Sequence, residues 1–210
     1  MASVEVSYDE LIFIRDKLYS AIDRKCSDKW CLTLWSRFVR ARDAYKCVVC
    51  DSPNKVQAHH LFRRTLLPQA RFELGNGISL CSKCHKVAHE GFNGRPDMSQ
   101  PIGAQGGDDQ DEIAFYFKKL LESANRRKLD HDQFYVLSDA MLRFFVSIQG
   151  FVFLYFAVVE GRISSLTMGY EIWARAPEAM SLAVLNANVP GLKFKEFPEF
   201  MVGESLVFYD

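Results

Sequence analysis

Two Cys-x2-Cys pairs constrain this chain more than any other feature: Cys47 with Cys50, and Cys81 with Cys84, separated by 30 intervening residues. A two-residue spacing lets both thiolates of a knuckle reach one ion at about 2.3 Å, and two such knuckles complete a tetrahedral zinc site. Four thiolates leave no open position, so the expected ion is a structural Zn2+. It pins a small core and fixes the distance between the elements that carry the knuckles. Cys26 and Cys31 lack this pattern and are expected to be packed thiols. His59, His60, Asn76, His85 and His89 lie within or just after the same span. These imidazoles exceed what the structural ion needs, and histidine titrates near neutrality, so their surplus beside a rigid metal core points to chemistry.

The formal net charge is zero, with 26 basic and 26 acidic residues, but the charge is unevenly placed. Arg37 to Arg95 holds eleven Lys/Arg against four Asp/Glu, whereas residues 96–210 hold ten against sixteen. Excess positive charge on the Cys/His segment favours a phosphate-bearing partner there and argues against a second nucleic-acid surface in the acidic half. The first ten residues carry three acids and no Lys or Arg, unlike a secretory leader. With cysteines in metal spacing, a reducing, cytoplasmic location is expected. The apolar run Phe144–Val159 spans 16 residues and includes Ser147, Gln149 and Gly150, short of the roughly 20 needed to cross a bilayer, so no membrane association is expected.

Periodicity organises the rest. Ser7 with Asp9 and Glu10 predicts a helix over residues 8–25, with Leu11, Ile14, Leu18 and Ile22 inward. Ser27 or Asp28 starts a second helix to about Ala44, with Trp30, Leu34, Phe38 and Ala41 as its buried stripe and Arg37, Arg40 and Arg42 on other faces. Val56–Leu61 and Ile78–Leu80 read as strands, Asn76-Gly77 as a turn signal, and Ser82–Glu90 as a helix. Two strands and a helix pinned at both ends by zinc make a ββα-metal arrangement. Five glycines, two prolines and an acidic run in residues 91–111 predict a linker, placed at 96–111. Beyond it, helices are expected over 112–128 and 131–149. A strand at Gly150–Val159 should pair with Ile163–Trp173, and a short helix should span Pro177–Asn186. The domains expected are a helical segment (1–36), the metal module (37–95), the linker and a C-terminal α+β domain (112–210).

Arg42-Asp43-Ala44-Tyr45-Lys46-Cys47-Val48-Val49-Cys50, the His59-His60 pair, Asn76-Gly77-Ile78-Ser79-Leu80-Cys81 and Cys84-His85 closely resemble the zinc-containing branch of the HNH endonucleases. The resemblance covers about residues 34 to 91. It implies an α+β fold with a treble-clef-like ββα-metal module, and a metal-dependent endonuclease that hydrolyses DNA phosphodiester bonds to leave 5′-phosphate and 3′-hydroxyl. By that resemblance His60 is the general base, Asn76 orients it and braces the loop between the strands, and His85 is a ligand of one catalytic ion. His59 falls where many members place an aspartate ligand. His89, four residues after His85, projects from the same helix face.

A set of His59, His85 and His89 is all imidazole. Mg2+ prefers oxygen, whereas imidazole suits Mn2+ or Ni2+, so these are expected to work at least as well as Mg2+. Arg63, Arg64 and Arg71, in the loop between the halves of the motif, and Arg37, Arg40 and Arg42 are candidates for contacts to double-stranded DNA. Two other readings are carried: a zinc module that binds nucleic acid or protein without cutting, and a nuclease regulated by an effector through its C-terminal part. Residues 112–210 carry no legible motif; a homodimer or protein partner is the expected use of any exposed surface there.

Overall fold

A computed structural model describes residues 6–61, 64, 68–89, 112–149, 151–175, 199–200 and 206–207. Ser7 accepts a hydrogen bond from the Glu10 amide and starts α1 (Tyr8–Asp23), whose first turn carries Asp9 and Glu10 against the helix dipole. Ser27 starts α2 (Asp28–Arg42) in the same way, accepting from the Trp30 amide. The two helices pack together through Leu11, Ile14, Leu18 and Ala21 on one side and Leu34, Phe38 and Ala41 on the other, all buried. Trp30 is an exception to the expected stripe. It is 45% exposed, and Trp35 is the buried indole of α2.

Two short strands, β1 (Gln57–His60) and β2 (Gly77–Leu80), pair antiparallel, with His59 opposite Ile78 and His60 opposite Gly77. A 3-10 segment (Pro68–Phe72) and a 3-10 turn (Leu74–Asn76) connect them, and α3 (Ser82–Ala88) follows. All four residues of β2 are buried. Gly77 is not a turn residue; its φ of −114° and ψ of 139° are ordinary extended backbone. Glycine is needed for space, because a Cβ there would lie 2.5 Å from Val39 Cγ2 and 2.8 Å from the Trp35 ring. Gly77→Ala should therefore cost about 1–3 kcal/mol through overpacking of α2 on β2, read as a lowered thermal midpoint.

From residue 112 to 175 the elements are all helical: α4 (Glu112–Arg127), α5 (His131–Phe134), α6 (Asp139–Gln149), α7 (Val152–Val159) and α8 (Ser165–Arg175). Two-residue strands β3 (Glu199–Phe200) and β4 (Leu206–Val207) pair antiparallel. The chain is thus a helix-rich α+β protein, and none of its described helices is long and apolar enough to cross a membrane.

Two expectations fail in this half. The strands placed at 150–159 and 163–173 are α7 and α8. Ser164 caps α8 by accepting from the Thr167 amide, and buried Leu166, Gly169, Ile172 and Trp173 recur at helical spacing. The single helix expected over 131–149 is broken at 135–138, where tertiary hydrogen bonds take the backbone. Val136 O accepts from Gly75 N (2.9 Å), Leu137 N donates to Ser165 Oγ (2.9 Å) and Ser138 N donates to Glu73 Oε2 (2.8 Å). The helix expected at Pro177–Asn186 lies outside the described residues.

Arg42 corrects a third expectation. It is fully buried and faces no phosphate. Its Nε donates to Asp43 Oδ1 (2.8 Å), while its terminal nitrogens donate to Asp43 Oδ2 (3.2 Å), Leu74 O (2.8 Å), Gly77 O (2.6 Å) and Phe134 O (3.3 Å). Its guanidinium also lies over the Tyr135 ring, 4.2 Å from the centroid. Asp43 in turn accepts from the Ser79 amide of β2. One ion pair thus ties α2, β2 and the α5 end together. Arg42→Ala would strand a buried carboxylate and three carbonyls, an expected loss of about 3–5 kcal/mol in denaturant unfolding.

Candidate active site and metal centres

The four knuckle sulfurs all lie within 4.8 Å of one another, with Cys50 Sγ 3.7 Å from both Cys81 Sγ and Cys84 Sγ. Four thiolates at about 2.3 Å from one tetrahedral ion would stand about 3.8 Å apart, so the cluster fits zinc. The first knuckle owes its shape to local backbone: Asp51 N bonds to Cys47 O, Cys47 N bonds to Ser52 O, and Asp51 takes a φ of 56°. Val48 N bonds to Ser79 O and locks the knuckle onto β2. The second knuckle opens α3, where the Cys84 amide holds the Cys81 thiol down, to about 7. Burial and the neighbouring sulfurs push the Cys84 thiol well up. Four thiolates this close cannot all ionise without a cation, and the donor set is compatible with a structural divalent ion such as zinc.

A second cluster forms from three imidazoles. His59 is buried on β1, His85 lies on α3, and His89 caps the C-terminus of α3. Ring centroids are 5.0 Å apart for His59–His85 and His59–His89, and 4.5 Å for His85–His89. The Nε2 atoms of His85 and His89 stand 3.2 Å apart. Ligand nitrogens about 2.0–2.1 Å from one ion stand roughly 3.0–3.4 Å apart, so this pair has chelating geometry. Burial, then the nearby His89, lowers the pKa of His85 and favours the neutral, ligating form. Among the described residues no carboxylate joins the group, and three imidazoles are a donor set that suits the softer divalent ions over Mg2+. The ring of buried Tyr116, on α4, comes within 6.4 Å of His59, so the second half reaches the edge of this cluster.

His60 stands next to His59 on β1. Successive strand residues point to opposite faces, so it does not join the imidazole cluster. Its ring stacks on Trp35, with centroids 3.9 Å apart and planes 7° from parallel. Its Nε2 is 2.9 Å from Arg71 O. A carbonyl only accepts, so Nε2 carries the proton and Nδ1 holds the lone pair. Burial lowers the His60 pKa to about 4, and the charge of Arg64 also lowers it. Asn76 is buried, and its Nδ2 donates to Ala70 O at 2.8 Å. It therefore braces the residue next to Arg71, while its own carbonyl accepts from Leu61 N.

The arginines divide. Arg37 is exposed on α2, Arg40 is half-buried with Nε donating to Ser36 O, and Arg64 is exposed. Arg71 turns its guanidinium to Asp28 (3.4 Å) and to the face of Phe72, so its backbone carbonyl is what reaches the histidine. Arg63 lies outside the described residues. The sequence reading missed Trp35 and the Arg71 carbonyl. Trp35 was findable as an indole at helical spacing from Cys31 and Phe38, whereas a backbone carbonyl leaves no mark in a sequence. No protein family, curated protein or solved structure matches the chain.

Proposed function

We propose that the chain is a metal-dependent DNA endonuclease of the HNH type, its β1, β2 and α3 forming the ββα-metal module. The observation that carries this reading is the adjacency on one strand of a tautomer-locked imidazole, His60, and a three-imidazole cation site built on His59. With Nε2–H held by Arg71 O, His60 Nδ1 takes the proton of the attacking water. Trp35 fixes the ring plane, and Asn76 holds the 3-10 segment that supplies the carbonyl. His59, His85 and His89 would hold one divalent ion, which when bound supplies Lewis-acid stabilisation of charge on the scissile phosphate and the leaving 3′ oxygen. Cys47, Cys50, Cys81 and Cys84 would hold the structural zinc. The products are a 5′-phosphate and a 3′-hydroxyl.

The test is cleavage of supercoiled plasmid with Mn2+, Ni2+ or Mg2+ added to zinc-loaded protein. Cutting that depends on the added ion, with Mn2+ or Ni2+ at least as effective as Mg2+, is the expected result. A folded, zinc-loaded protein that cuts neither plasmid nor single strands under any condition would point to a module that only binds nucleic acid or protein.

Effector regulation is a second reading, favoured by a cleft of about 940 Å3 between the α1–α2 turn, the 3-10 segments and residues 136–138. Tyr19, Cys31, Glu73 and Ser138 line it together with Arg71, the residue whose carbonyl fixes His60. A small molecule seated there would act on the base through that carbonyl. A change in cutting rate on its addition is the readout.

A further inference from the structure

We propose that a groove along α2 seats the phosphates of a DNA strand on its way to His60, an assignment that rests on the nuclease reading. Lys29, Thr33, Ser36 and Arg40 follow one another at steps of four, three and four, so they form a single stripe on one helix face. With Arg64, Leu32 and Asp28 they line a groove of about 530 Å3. Asp28, the one acid among the groove's described lining residues, is already paired with Arg71 (3.4 Å). No carboxylate among the described residues pairs with Lys29, Arg40 or Arg64. Arg40 spends its Nε on Ser36 O, which leaves its terminal nitrogens for a ligand.

Thr33 Oγ1 donates to Lys29 O (2.8 Å), so the strip offers a phosphate its cations and the Ser36 hydroxyl, the chemistry that binds a phosphodiester backbone without reading bases. Over eleven residues the stripe is about 16 Å long, roughly the axial rise of five nucleotides of one strand. The groove adjoins the proposed base because α2, which carries the stripe, also holds Trp35 against the His60 ring. The contacts proposed from sequence here were Arg40 and Arg64; Lys29, Thr33 and Ser36 complete the surface.

The test uses the whole chain with Lys29→Gln, Arg40→Gln and Arg64→Gln combined. Affinity for a labelled 30-base-pair duplex is measured by fluorescence anisotropy against salt, in a His60→Ala background so that the DNA stays intact. Hydrolysis of bis(p-nitrophenyl) phosphate is measured separately with His60 present. Each lost phosphate contact removes about 0.9 from the slope of log affinity on log salt, so the triple substitution should flatten it by about 2.7. Hydrolysis of the small ester, which does not span the groove, should stay within twofold for Lys29→Gln combined with Arg40→Gln, which leaves Arg64 in place, and the triple change at Lys118, Arg143 and Arg175 should leave the slope unaltered. A parent protein that binds DNA with a slope the triple substitution does not change would overturn the groove and leave the nuclease standing. A parent that neither binds DNA nor hydrolyses the ester would overturn the nuclease reading, and the groove with it.

Discussion

His60→Ala is expected to lower DNA cleavage by about 10²–10⁴-fold, the usual contribution of a positioned general base. Bound zinc should stay stoichiometric. The reasoning is local: with Nε2–H committed to Arg71 O, Nδ1 is the ring nitrogen that carries the lone pair. Removing the ring also exposes one face of Trp35, so a melting curve must accompany the rate. His60→Gln keeps an amide that can still donate to Arg71 O but supplies no base, and it should match the alanine variant in rate while melting closer to wild type. A rate within threefold of wild type for both would remove His60 from the mechanism.

Cys50→Ser should abolish stoichiometric zinc and unfold the β1–β2 pair and α3, which carry the histidines. Cys50 is the informative member because it is exposed, so exchanging sulfur for oxygen there disturbs no packing. Its loss therefore reports on the metal alone. Structural zinc sites supply about 10–16 kcal/mol of binding energy, and β1 and β2 are only four residues each. The expected record is loss of zinc by elemental analysis, a lower melting midpoint, and the same midpoint for the wild type after chelation. If chelated wild-type protein melts at the midpoint of the zinc-loaded form, the cluster contributes nothing to stability.

The metal segment was legible in the sequence because its chemistry is local and discrete. Cysteine spacing pairs the two sulfurs of each knuckle, and the i, i+4 step from His85 to His89 by itself brings two imidazoles to 3.2 Å. The α1 and α2 boundaries were legible from Ser7 and Ser27 as caps. Residues 151–159 misled because an almost wholly apolar stretch has no period to read, so β-branched and aromatic content argued for a strand that packing made a helix. Arg42 misled for a different reason. Nothing in a sequence distinguishes an arginine whose five donors are consumed by carbonyls and an adjacent aspartate from one left at the surface for DNA. Gly77 likewise followed an asparagine and resembled a turn, while its requirement came from Val39 and Trp35, almost forty residues away.

The reach of Arg42 into Phe134 O also sets an order on biosynthesis. Every cysteine and histidine proposed to hold metal has left the ribosome by residue 89, yet the carbonyl of Phe134 and the amides around it follow some 45 residues later. Until then the guanidinium behind β2 lacks one of its acceptors, and the 3-10 turn before Asn76 lacks its clasp to Val136. A chain interrupted between those points carries a full complement of ligands on an unfinished frame.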